Sequence, residues 1–154
     1  MPAVTISFRA LEQADLPTVT ELFASEEELS PYARETLDDA LLVGWLAVEG
    51  ECIVGAVLTR TMRSDDDRER GGVDELLVAD SHRRLGVGRR LMELAEAHYR
   101  AMGVAGMQLS VTEANRPAAR LYDSLGYIVV LRYLRPGATA GRPPEARLRM
   151  WKDF

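Results

Sequence analysis

Apolar positions along the chain come in short runs of two kinds, one with period two and one with period near 3.6, in alternation. Residues 5–9 alternate and predict a strand. Asp15 can cap a following helix with Pro17 in its first turn, and Leu16, Val19, Leu22 and Phe23 supply its apolar stripe. Glu26, Glu27 and Glu28 interrupt the pattern, and Ser30-Pro31 restarts a helix to about Val43. Residues 45–49 and 52–61 read as strands around the turn Glu49-Gly50-Glu51. Residues 65–70 form a charged loop, and residues 72–79 form an apolar strand after Asp74-Glu75. Residues 86–102 predict the clearest helix, with Val87, Leu91, Leu94, Ala95, His98 and Met102 on one face. Residues 107–112 are a strand. Asn115 caps a helix with Pro117 in its first turn, and Gly126 ends it. A strand over 127–134, a Gly/Pro loop over 136–144 and a strand over 147–151 complete the order. The early strands can pair as hairpins. The helical crossover from strand 72–79 to strand 107–112 demands a parallel pair.

Composition narrows the function classes. At 154 residues the chain suits one domain over 1–154, with 47% apolar and 28% charged residues in an ordinary globular mix. No apolar run approaches the ~20 residues of a membrane span, and the first residues lack the apolar core of a signal peptide. Acidic residues outnumber basic ones 24 to 19, which disfavours nucleic-acid binding. Cys52 is the only cysteine, so no internal disulfide forms. With His82 and His98 as the only histidines, a Cys/His zinc site is not expected. Cys52 reads as a half-buried strand residue, His82 as an exposed loop residue and His98 as a neighbour of the core. Every basic residue but Lys152 is arginine, spread along the chain. The expectation is a small, soluble, cytoplasmic domain without metal.

Two segments carry candidate chemistry. Arg83-Arg84-Leu85-Gly86-Val87-Gly88, followed by Arg89-Arg90, lies between an apolar strand and a long helix. Free amides at a helix start, the positive end of its dipole and glycines that admit a ligand make an anion site. A tight turn with solvated arginines is the plainer reading. The sequence holds neither G-x-x-x-x-G-K-[ST] nor G-x-G-x-x-G. In the second segment, from Asn115 to Tyr127, Ala118, Leu121, Tyr122 and Leu125 share a helix face. Tyr122 is either a core aromatic whose hydroxyl finds a partner or a proton donor at a cleft between the parallel strands.

Together these segments resemble the GCN5-related N-acetyltransferase (GNAT) superfamily. Arg83, Gly86 and Gly88 match its Q/R-x-x-G-x-G/A loop. Asn115, Ala118, Leu121, Tyr122, Gly126 and Tyr127 match N-x-x-A-x-x-L-Y-x-x-x-G-[FY]. The flanks, 6–23 and 46–60, look like the family's first strand and helix and its second and third strands. The resemblance implies a single α/β domain: a mixed, mostly antiparallel twisted sheet, a splayed parallel pair (strands 4 and 5) and flanking helices. It implies direct acetyl transfer from acetyl-CoA to an amine. The pantetheine arm would run along Leu76, Leu77 and Val78. The pyrophosphate would rest on the loop of Arg83, Arg84, Leu85, Gly86, Val87, Gly88 and Arg89. Asn115 would approach the pantetheine, and Tyr122 would protonate the departing thiolate.

Amines are mostly protonated at neutral pH, so a base or a water chain must remove a proton. Asp74 and Glu75 head the strand that leads to the loop, and strand alternation would send them to opposite faces. The fifth-strand position where other members place a carboxylate looks like Ser110, which is no base. Glu113 is a third candidate. The acceptor, a small-molecule or a protein amine, carries no readable motif, and a homodimer is a further possibility. Glu26–Glu28, Asp38–Asp39 and Asp65–Asp67 would draw a cationic amine or stand as solvated surface. Rival readings are transfer of another acyl group from its CoA thioester, and a non-catalytic acyl-CoA-binding regulatory domain.

Overall fold

The computed structural model describes residues 5–24, 42–137 and 141–154. The expected helix over 30–43, the Glu26–Glu28 run and Asp38–Asp39 therefore lie outside the described residues, except that Val43 opens a strand. Seven strands make one sheet: β1 (Ile6–Ala10), β2 (Val43–Glu49), β3 (Cys52–Arg63), β4 (Glu69–Val78), β5 (Gly106–Thr112), β6 (Ile128–Arg135) and β7 (Glu145–Asp153). Their spatial order is β1-β2-β3-β4-β5-β7-β6, and every neighbouring pair is antiparallel except β4–β5. The helices are α1 (Leu16–Ala24), α2 (Val87–Met102) and α3 (Arg116–Ser124). This is the expected mixed sheet with its one parallel pair.

Alternation of apolar positions gives the sheet two covered faces. On one, α2 and α3 pack over Ala47, Val57, Met107, Leu109, Val111 and Met150. On the other, Val19 of α1 packs on Leu46, Val48, Ala56 and Leu58. Each fully buried large apolar side chain contributes about 1.5–3 kcal/mol. The buried stripe of α2 is Val87, Leu91, Met92, Ala95, Glu96 and Tyr99. It is rotated from the expected one, and Met102 is exposed. The rotation follows from polar partners at the sheet. Tyr99 shares a 2.8 Å hydrogen bond with Thr59, and Glu96 takes one from the Tyr127 hydroxyl at 3.0 Å and meets Lys152 at 2.9 Å.

The charged loop is shorter than the sequence suggests. β3 runs on to Arg63 and β4 starts at Glu69, because Arg70 pulls the turn together. Arg70 is sealed from water and reaches Ser64, Asp66 and Asp153 while lying over the Trp151 ring. Two minor expectations are corrected and a third holds. Cys52 is exposed, at the start of β3 beside the hairpin turn. His82 is half-buried, with ring nitrogens 2.6 Å from Ser81 and from Glu49. His98 does border the core, edge-on to both Trp45 and Tyr99. No helix among the described residues is long and apolar enough to cross a membrane.

Candidate active site

β4 and β5 stay together only briefly. Their pairing covers Gly71–Met107, Gly72–Gln108 and Val73–Leu109, and then they part. From Asp74 to Val78 the edge of β4 that faces β5 has no partner strand among the described residues, while its other edge still pairs with β3. The divergence starts where the β3–β4 register slips. Thr59 opposes Val73 and Leu58 opposes Glu75, so Asp74 is the extra residue of a β-bulge. The result is a fork with an open strand edge at the carboxyl ends of two parallel strands. Open α/β sheets bind ligands at such ends.

The bulge overturns the expected separation of the two carboxylates. Asp74 accepts a 2.6 Å bond from Arg60 Nε. Arg60 opposes Gly72, and Glu75 opposes Leu58, which lies in the cluster under α1. Both carboxylates thus belong to the α1 side of the sheet. A period-two reading cannot detect this, because a bulge is a property of two strands.

The loop at the fork's mouth starts α2 through two left-handed residues. Gly86 caps α2 with φ 79°, and Arg84 also has a left-handed φ of 63°. The first backbone bond into α2 is from Arg90 N–H to Gly86 O, 3.0 Å; among the described residues no backbone carbonyl accepts from the amides of residues 84–89. The dipole end and the unused donors coincide there. The two glycines differ in role. A Cβ on Gly86 would meet nothing within 4 Å, whereas one on Gly88 would lie 3.3 Å from Leu121 and 3.7 Å from Leu76 and Val78. Gly86 therefore keeps the approach to the amides clear, while Gly88 lets α2 sit close on α3 and β4. Arg89 ties this start of α2 to α3 by a 2.7 Å bond to Ser124. Arg83 pairs with Asp80 at 3.0 Å.

Asn115 caps α3, its side chain accepting from the Ala118 amide at 3.4 Å. That helix delivers Tyr122 to the fork. Three tyrosines lie deep in the same core, and two have hydroxyl partners: Tyr99 with Thr59, and Tyr127 with Glu96. Tyr122 is 7% exposed, with its ring edge-on to Tyr127, yet no described residue hydrogen-bonds its hydroxyl. Burial raises the Tyr122 phenol well above its usual value. The charge of Glu75 raises it further, and Arg147 opposes the shift. Glu75 and Tyr122 thus feel each other across the fork, from elements on opposite faces. Glu113, just past the carboxyl end of β5, pairs with Arg132.

One group escaped the sequence reading. On the α1 side, β5 presents Gln108, Ser110 and Thr112, and β7 presents Arg147, Arg149 and Trp151. Their neighbours Met107, Leu109, Val111, Leu148 and Met150 face the other core. Tyr133 of β6 opposes Arg147. Burial raises the Tyr133 phenol, but hydrogen bonds from Ser110 and Arg147, with the charges of Arg147 and Arg149, outweigh it and leave the group below its usual value. The signal was present as alternating polar residues in both strands.

Residues 7–127 match the family model described as the acetyltransferase (GNAT) family. The mycothiol acetyltransferase of Geodermatophilus obscurus is 30% identical over 125 residues, covering 75% of this chain and 41% of that protein. N-alpha-acetyltransferase 40 of Saccharomyces cerevisiae is 39% identical over 80 residues, covering 47% of this chain and 26% of that protein. The chain thus spans less than half the length of either relative. Among solved structures, Arabidopsis thaliana NAA60 in complex with acetyl-CoA superimposes with a TM-score of 0.82 at 19% identity, over 97% of this chain and 99% of that one.

Proposed function

The chain belongs to the acetyltransferase (GNAT) family, and from that premise we propose that it transfers an acetyl group from acetyl-CoA to a primary amine. The observation that carries the reading is the Tyr122 hydroxyl, set at the fork with no partner among the described residues. The relatives' names, an acetyltransferase of mycothiol and an N-alpha-acetyltransferase, agree with acetyl transfer.

The residues present fit acetyl-CoA. The unused amides of residues 84–89 suit a pyrophosphate, and Arg83, Arg84 and Arg89 add cations there. The open edge along Leu76, Leu77 and Val78 suits an extended amide-bearing arm, as in strand addition. Asn115 stands at the start of α3, beside the path of that arm. Bound there, the cosubstrate supplies an acetyl carbon activated as a thioester.

The chain's own groups then handle protons. Glu75 attracts the ammonium form of the acceptor and takes its proton, directly or through water, freeing the nitrogen lone pair. Glu75 is the preferred base, because its charge reaches the Tyr122 phenol. As the C–N bond forms and the C–S bond breaks, the nitrogen sheds its second proton to the departing sulfur, directly or through water, and Tyr122 donates a hydrogen bond to that sulfur. Burial keeps its proton in place throughout the neutral range. A thiol is more acidic than this phenol, so Tyr122 stabilises the thiolate without having to surrender its proton fully. An amine panel supplied with acetyl-CoA and followed by thiol release tests the reading. Tight acetyl-CoA binding with no release from any amine would favour the non-catalytic alternative.

A further inference from the structure

We propose that the acceptor amine carries its own anionic oxygen group, a carboxylate or a phosphate, and that Arg147 receives that group beside the fork. The inference rests on the transferase reading above and adds the acceptor's chemical class. Tyr133, Arg147 and Arg149 lie beyond residues 7–127, so the family match assigns them nothing.

The cations on the α1 side of the sheet are nearly all answered by close carboxylates. Arg60 meets Asp74 at 2.6 Å. Arg70 meets Asp153 at 2.7 Å and Asp66 at 3.0 Å. Arg149 meets Asp65. Arg147 is the exception. Its Nη1 donates to Thr112 Oγ1 and its Nη2 to the Ser110 carbonyl, both at 3.2 Å, and it also bonds the Tyr133 hydroxyl; none of the three is a carboxylate. Among the described residues its one carboxylate neighbour, Glu145, is 4.0 Å away. Its Nε, like that of Arg149, is buried with no partner among the described residues. Only 19% of the side chain is exposed. A guanidinium so far withdrawn from water, with no close counter-charge among the described residues, is costly to hold.

The position of Arg147 says what its charge is for. It opposes Thr112, three positions beyond the last β4–β5 pair at Leu109, so it stands where the two strands have parted. With Arg149 it also acts on Tyr133. The α1 side of the fork therefore offers a carboxylate, Glu75, for an ammonium and a guanidinium, Arg147, for an anion. An amine with its own carboxylate or phosphate satisfies both. Planar bidentate donation is how arginine recognises such groups. A polyamine, cationic along its length, would meet Arg147 unfavourably.

The test uses matched acceptors with the full chain and acetyl-CoA: glycine against glycinamide, phosphoethanolamine against ethanolamine, and spermidine. Thiol release gives kcat/KM for each, in the wild type and in Arg147→Gln and Arg147→Lys. The ratio within each pair is compared between proteins, so differences in amine basicity cancel. The expected result is that Arg147→Gln lowers the anionic-to-neutral ratio about tenfold or more, through KM, for at least one pair. Arg147→Lys, which keeps charge without the fork, should fall between. The responding pair identifies carboxylate or phosphate. If Arg147→Gln does not fold, as judged by thermal melting, the ratio in Arg147→Lys decides. Ratios unchanged by substitution, or release from ethanolamine, glycinamide and spermidine alone, overturn the proposal and leave the transferase reading standing. No release from any amine overturns both.

Discussion

Tyr122 and Tyr127 lie ring to ring in one core, yet removing their hydroxyls should have opposite consequences. Tyr127→Phe takes away the 3.0 Å bond to Glu96, a buried carboxylate whose remaining partner is Lys152. A hydrogen bond to a charged group contributes about 1.5–3 kcal/mol. In a chain of this size each kcal/mol moves Tm by about 2–4 °C, so a fall of about 3–12 °C is expected. Acetyl transfer by the folded fraction should change little. Tyr122→Phe deletes a hydroxyl that no described residue bonds and keeps the ring, so Tm should stay within about 2 °C. Its kcat should fall about 10- to 1000-fold while acetyl-CoA affinity holds, the pattern for an interaction made only in the transition state. Calorimetric melting, isothermal titration with acetyl-CoA and thiol release measure the three quantities. If Tyr122→Phe loses stability as Tyr127→Phe does and keeps its kcat, Tyr122 is a packing residue and the proton-handling role is wrong.

Three further outcomes follow from the geometry. Gly86→Ala must place a side chain in left-handed backbone at a cost of about 1–2 kcal/mol and crowd the free amides, whereas Gly88→Val pushes α2 off Leu121 and Leu76 and should destabilise by about 1–3 kcal/mol; unchanged acetyl-CoA affinity in folded Gly86→Ala removes the loop from the binding site. Glu75→Gln should lower kcat and raise KM together at pH 7, and Asp74→Asn should cost stability more than rate because it removes the charge that Arg60 meets at 2.6 Å; full kcat/KM in both variants would mean that neither carboxylate is the base. Asp66 is held at about 2, chiefly by the Ser64 hydroxyl and then Arg70, so its stabilising effect is present above its unfolded value near 3.8 and fades as pH falls towards 2; in Asp66→Asn the loss of Tm between pH 4 and 2 should be shallower, and an unaltered slope refutes the assignment.

The elements that sequence alone revealed are those whose cause is local. Gly86 and Asn115 announce helix starts through chain geometry and side-chain capping, and both stand where expected. The parallel crossover follows from the order of apolar runs. What escaped depends on a second element. The bulge at Asp74 exists only in the register against β3. The burial of Met92 and Tyr99 in place of Met102 reflects where Thr59 and Tyr127 offer polar partners. Gly88 reads as a ligand-approach glycine until Leu121 is seen opposite it. Arg147 and Arg149 were two arginines among eighteen in the chain, and only the pairing of β7 with β5 and β6 shows which of them lacks a close carboxylate.

Three residue pairs are all that join β1–β4 to β5–β7 within the sheet, with the Arg70–Asp153 contact clasping the closed end and bridging 83 positions of sequence. A seam this narrow divides the sheet into two blocks that can open at different free energies. In amide exchange without ligand, residues 71–73 should mark the border between two protection levels. A molecule lying along residues 74–78 would then act as a temporary strand, lengthening the seam from one end. At a hundredfold excess over Kd it adds about 2.7 kcal/mol to the bound state. Exchange on both sides of the fork should slow together and converge on one rate. On this view the cosubstrate is, while it stays, part of the protein's architecture.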